Sequence, residues 1–165
     1  MECGIIDITK YSDSQPRDDH GRWTSGGGSG GAVRLSIIHF EKDDPLYLDA
    51  FSIEEEDGFE DIRSHGSSSS IQVTLNEKKV NMNAVEYAEY LKSTGHTIRD
   101  FRLAACSTGK GDNSFAQQLS KELQIKVKAP DDDVYYIPED GVLRIGSEYR
   151  DIGKWRTFDR GVEVL

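Results

Sequence analysis

The chain has 165 residues and a formal charge of −10, from 20 Lys and Arg against 30 Asp and Glu. That length bounds it to one domain of ordinary size. The charge argues against nucleic-acid binding by a general basic surface and against adsorption to anionic lipid. No apolar run approaches the roughly 20 residues that cross a bilayer, and Met1-Glu2-Cys3-Gly4 lacks the basic start and apolar stretch of a signal peptide. The expected compartment is therefore the cytoplasm.

Residues 1–31 read as a tail. Tyr11 to His20 is polar and contains Pro16, and Gly26 to Gly31 is a Gly/Ser linker. A folded unit is expected over 32–165, and it shows no internal repeat. Val33 to Ile38 is rich in β-branched residues and reads as a strand. The excess charge then concentrates: Glu41 to Asp61 holds ten acids and the single base Lys42, so this segment carries −9 of the total. Its plain reading is a solvated face or loop. The sharper ones are an autoinhibitory or recognition segment, or a divalent-cation site. Within it, Asp44 to Phe51 reads as a short helix or irregular chain.

Glu60 to Ser64 is a short strand that ends at His65-Gly66 and four serines, Ser67 to Ser70. Ile71 to Leu75 alternates, and Asn76-Glu77 followed by Lys78 to Val80 predicts a hairpin. Asn81 or Asn83 caps a helix to about Ser93, with Met82, Val85, Ala88 and Leu91 at helical spacing and Gly95 beyond its end. Ile98 to Ala105 is a strand, Cys106 to Gly111 a loop, and Asp112 or Asn113 the cap of a helix over Ser114 to Leu123. Ile125 to Ala129 is a strand stopped by Pro130. Val134 to Ile137, an Asp140-Gly141 turn, Val142 to Ile145 and Trp155 to Phe158 complete the pattern. Strands alternating with helices predict an α/β fold, a mostly parallel sheet flanked by helices in three layers.

In open α/β sheets, reactive groups gather beyond the C-terminal ends of the strands. His65 directly follows one predicted strand and Cys106 another. If those strands are neighbours, an imidazole and a sulfur emerge at one edge. A thiolate is the nucleophile of such a pair, and the imidazole moves its proton. Gly66 lets a carbonyl approach the backbone, where an N–H can stabilise an oxyanion. Two cysteines, Cys3 and Cys106, make no disulfide framework, and both are expected to be free thiols in a reducing compartment. His39 follows the first strand and is a reserve base, His20 lies in the tail, and His96 follows Gly95 in a solvated loop. A lone Cys is also a common small core residue.

Other motifs fail on their own terms. Ser107-Thr108-Gly109-Lys110-Gly111 lacks the phosphate-loop pattern, Asp112 stands where a Cys-x5-Arg phosphatase loop needs Arg, and no Cys/His set has zinc spacing. No metal or cofactor is expected.

His65-Gly66 after one strand and Ala105-Cys106 after the next resemble the caspase-like (clan CD) cysteine peptidases. The run Phe101 to Gly109, with Phe115 to Leu119 and Val127 to Pro130, is similar to the self-processing peptidase-like domains at the C-termini of bacterial and phage polymorphic toxins. The tail segment Gln15 to Trp23 resembles linkers of phage head and portal proteins. The resemblance implies a caspase-like architecture and peptide-bond hydrolysis with Cys106 as nucleophile and His65 as general acid/base. The backbone N–H groups of Gly66 and Cys106 would be oxyanion donors, and Ser64, Ser67, Ala105 and Ser107 would shape the site. The expected partner is a polypeptide substrate or the parent polypeptide, in a bacterial host or on a phage particle. The competing expectation is a catalytically inactive peptidase-like module with a binding or structural role on that particle.

Overall fold

Parallel strands are usually buried on both faces, and three short ones form the middle of the fold, with the charged Asp61, Arg63 and Arg102 buried among them. The computed structural model describes residues 36–47, 49–51, 53–136, 141–147, 150 and 152–165. The expected tail over 1–31 lies outside them. Strands β1 (Ile37–Ile38), β2 (Glu60–Arg63), β5 (Phe101–Ala104) and β6 (Lys126–Pro130) run parallel. Strands β9 (Trp155–Asp159) and β10 (Val162–Val164) complete one sheet in the order β1-β2-β5-β6-β9-β10. β9 is antiparallel to both β6 and β10. Two hairpins stand apart, β3 (Ile71–Leu75) with β4 (Lys78–Met82), and β7 (Val134–Tyr136) with β8 (Leu143–Ile145). The first turns at Asn76-Glu77, whose φ angles of 49° and 65° are those of a two-residue primed turn.

Helix α1 (Ala84–Ser93) starts where the sequence allows a reciprocal cap. The Asn83 side chain accepts from the Glu86 N–H at 2.9 Å, and Glu86 accepts from the Asn83 N–H at 3.0 Å. Helix α2 (Phe115–Leu123) begins later than expected. Asn113 takes a left-handed φ of 53° and is spent on the turn, so Ser114 caps instead, accepting from Gln117 at 3.3 Å. The sheet continues past Trp155 to Phe158 into β10, a strand the sequence reading did not anticipate.

Both helices pack on one face of the sheet. Tyr87, Leu91, Phe115 and Leu119 meet Ile62, Phe101, Leu103, Val127 and Phe158 there. Consecutive right-handed crossovers that step the same way across a sheet, β2 to β5 and β5 to β6, place their helices together. The other face is not covered by a helical layer among the described residues. Its apolar cluster joins Phe40, Leu46, Ala50 and Ile53 of the β1–β2 connection to Val134, Leu143 and Ile145 of the β7–β8 hairpin. Of Asp44 to Phe51, read as a short helix or irregular chain, the described residues form a 3-10 turn over Asp49–Phe51.

A buried charge network holds this connection down. Asp61, Arg63 and Arg102 are all buried. Asp61 accepts from Arg63 at 2.9 Å and from Arg102 at 2.6 and 2.7 Å. The arginines in turn donate outward, Arg63 to the carbonyls of Ala50 and Ile53 and Arg102 to that of Glu54. Burial pulls the Arg63 guanidinium below its ordinary range. For Arg102 burial pulls the same way, but its hydrogen bonds and charge pairing with Asp61 prevail and push it up.

Candidate functional site

The site forms where β2 and β5 end. Arg63 is the register partner of Ala104, and the ladder runs one step further, with the Ser64 N–H on the Ala104 carbonyl at 3.4 Å. His65 and Cys106 each follow that aligned pair by two residues. Side chains alternate across a strand, so both leave on the face of Asp61, Arg63 and Arg102. Cys106 and Ala104 indeed belong to the second apolar cluster. The His65 ring packs edge-on against Phe40 of the same cluster, with centroids 4.8 Å apart.

His65 is fixed by a residue the sequence reading did not assign. Its Nε2 lies 2.7 Å from Asp44 Oδ2. The other carboxylate oxygen, Oδ1, accepts the Leu46 N–H at 2.9 Å, an Asx turn that sets the carboxylate in place. The Asp44 side chain is buried, whereas that of His65 is 31% exposed. The imidazole is thus oriented through Nε2 and has Nδ1 left for chemistry. Asp44 before Pro45 carries a turn signal in the sequence, but nothing there ties it to an imidazole 21 positions on.

Gly66 is the contact between the two strand ends. A Cβ there would lie 2.8 Å from Thr108 Cγ2, 3.0 Å from Ala105 Cβ and 3.2 Å from the Cys106 carbonyl oxygen. Gly66 faces Ile71 in an isolated bridge whose hydrogen bonds run from Gln72 N to His65 O and from Ser67 N to Ser70 O. Those bonds do not use the Gly66 N–H.

Cys106 is 2% exposed. Its sulfur accepts the Val134 N–H at 3.2 Å. The residue is disulfide-bonded, and no free cysteine is present among the described residues. This corrects the expectation of a free thiol at Cys106. The chain's other cysteine, Cys3, lies outside the described residues.

The remaining candidates divide. Ser64 is buried and donates to the His65 carbonyl at 3.1 Å, so it braces the imidazole's backbone. Ala105 points to the helix face and touches the site through Gly66. Ser107 adopts a φ of 59° and donates its N–H to the Asp132 carbonyl at 3.0 Å, tying the Cys106 loop to the chain before β7. Ser67 closes the four-serine turn, accepting from Ser69 and Ser70 at 3.3 and 3.1 Å. The reserve base, His39, is not brought to the sulfur. Ile37 packs with the helices and Ile38 with the opposite cluster, so His39 alternates back to the helix face. There its Nε2 meets Tyr87 Oη at 2.7 Å. Burial, with His96 adding to it, lowers the His39 pKa to about 4. Burial raises that of Tyr87 well above the phenol range. The phenol therefore donates to a neutral imidazole. Among the described residues, no three His, Cys, Asp or Glu converge to hold a metal ion.

The sheet and its crossovers define a mixed α/β domain with a mainly parallel central sheet. The chain belongs to the family described as Domain of unknown function (DUF8616), which matches residues 35–145 and so takes in β1 to β8 with the His65 and Cys106 loops. Comparison with curated proteins gives no match, and neither does comparison with solved structures. Among the described residues, no helix is long and apolar enough to cross a membrane.

Proposed function

We propose that this domain is a caspase-like cysteine peptidase that becomes active when Cys106 is reduced, cleaving a polypeptide substrate or its own parent chain in a bacterial host or on a phage particle. The observation that carries the reading is the Asp44–His65 pair, 2.7 Å apart, at the register where Cys106 leaves β5. A carboxylate that holds an imidazole by one nitrogen leaves the other in a fixed tautomer for proton transfer. A dithiol would first reduce the Cys106 disulfide and leave itself oxidised. His65 Nδ1 would take the Cys106 thiol proton as the sulfur attacks a peptide carbonyl carbon. The Gly66 N–H would donate a hydrogen bond to the oxyanion. His65 would then pass the proton to the departing amine, and water would hydrolyse the thioester.

A second reading rests on a specific observation, the 2% exposure of Cys106 beneath the β7–β8 hairpin. A sulfur packed there serves as core, and the domain is then an inactive binding or structural module. One experiment separates the two. The chain is treated with a phosphine reductant and then with iodoacetamide, and the adducts are located by mass spectrometry. The peptidase reading expects Cys106 to label faster than Cys3, and His65→Ala to abolish the difference. Equal, slow labelling of both cysteines refutes it in favour of the module.

A further inference from the structure

β1 is an edge strand. It pairs with β2 alone, and the His39 N–H reaches the Arg63 carbonyl at 2.9 Å. Neighbouring residues of a strand direct their backbone groups to opposite sides, so the N–H and C=O of Ile38 point away from the sheet. An edge of this kind is a template for a further strand. Beside it runs a groove of about 630 Å³, lined by Ser36, Ile38, His39, Phe40, Tyr47 and Tyr90. Tyr47 packs on the second apolar cluster and Tyr90 on the helix face, so the groove is walled on both sides of β1. The charged groups lining it, Glu41, Glu60 and Lys42, sum to a single negative charge. Apolar contact and backbone hydrogen bonds therefore decide what fits.

The chain itself carries a matching segment. Residues 1–35 precede the described part, and they include Gly4-Ile5-Ile6-Asp7-Ile8-Thr9, in which four of six residues are β-branched. Cys3 stands directly before it, and the chain has two cysteines. Cys106 is disulfide-bonded, so a bond closed within one chain joins it to Cys3.

Tether and groove agree in length. Ile38, Arg63 and Ala104 are register partners in one row across β1, β2 and β5. Two residues further on, the row becomes Phe40, His65 and Cys106. Strands lie about 4.8 Å apart, which puts Cys106 about 10 Å from the end of β1, a span that the extended chain from Cys3 to Ile6 covers. Running back along β1 from there, Ile6 falls opposite Phe40 and Ile8 opposite Ile38, on the face where Phe40 and Ile38 join the second apolar cluster. A slip of one residue would put Asp7 on that face instead. Residues 11–35 are more than long enough to return the chain to Ser36. We propose that Gly4–Thr9 adds to the sheet as a strand antiparallel to β1, with Ile8 paired to Ile38 and Cys3 tied to Cys106. This docking stands whether or not Cys106 serves as a nucleophile.

The test uses the oxidised full chain. Digestion without reduction, followed by mass spectrometry, should give a cross-linked peptide containing Cys3 and Cys106. Amide exchange read by NMR should be slow at Ile38 and Ile8, which bond each other, and fast at Asp7, whose N–H faces outward. An Hα–Hα cross-peak should join Asp7 to His39, the close pair of that register. Ile8→Asp should speed exchange at Ile38 by about tenfold or more, with the amides of α1 and α2 unchanged. Mixing isotope-labelled with unlabelled chains identifies the source of the strand. Cross-peaks within one chain support the docking, and cross-peaks between chains assign the strand to a second copy and overturn it. Cys106 linked to a second chain or to a small thiol, an Ile38 amide exchanging as fast as in an unstructured peptide, or equal Ile38 exchange in Ile8→Asp would also overturn it.

Discussion

Replacing His39 with Gln should flatten part of the chain's acid sensitivity. In the folded state this imidazole is desolvated and titrates at about 4, against 6.5 for the ordinary value. Protonation therefore favours the unfolded chain. The neutral ring's contribution is fully present above pH 6.5, is lost as the pH falls toward 4, and changes little below that. At 1.36 kcal/mol per pK unit, the loss is about 2 kcal/mol by pH 5 and about 3 kcal/mol by pH 4. Gln keeps an acceptor for the Tyr87 hydroxyl, now 2.7 Å from the imidazole, and cannot titrate. Urea unfolding of both proteins at half-unit steps from pH 7.5 to 4 reads the difference directly. Carboxylates elsewhere titrate equally in both and cancel. The wild-type curve should fall below the His39→Gln curve by that margin, with most of the divergence between pH 6.5 and 4. Parallel curves would refute the burial argument.

Gly66→Ala should destabilise the fold by about 1–3 kcal/mol, the usual cost of overpacking, because its Cβ would enter 2.8 Å from Thr108 Cγ2; thermal melts would show it, and an unchanged midpoint would mean that the strand ends are not in contact. Asp61→Asn removes the shared carboxylate between two buried arginines and should cost about 3–5 kcal/mol in chemical denaturation, as breaking a buried ion pair does.

The strands around the site were legible because they are local. Glu60–Arg63, Ile71–Leu75 and Phe101–Ala104 carry their period and their stops within a few residues, and the Asn83–Glu86 capping box is a three-residue signal. The adjacency of β2 and β5, a condition in the sequence reading, is what crossover logic allows and the register shows. What the sequence withheld is non-local. Asp44 reaches His65 across 21 positions and Arg102 reaches Asp61 across 41, and no period links such pairs. His39 was a reserve base by its place after the first strand, and its burial against Tyr87, 48 positions on, has no signal near position 39. The cap of α2 moved to Ser114 because Asn113, an equally good capping residue by type, was needed at positive φ. Cys106 and its burial depend on the β7–β8 hairpin folding back over the sheet, which no residue near position 106 announces.

The two faces of the sheet are closed by different kinds of structure. One carries two capped helices. The other is roofed by turns, one 3-10 turn and a short hairpin, pinned chiefly through arginine–carbonyl contacts. A roof with few backbone hydrogen bonds of its own opens at lower free energy than a helical layer. Amide protons of residues 40–59 should accordingly exchange well before those of α1 and α2, while the sheet stays intact. Cys106 would meet the outside through that partial breathing, at a rate set by the roof and not by global unfolding.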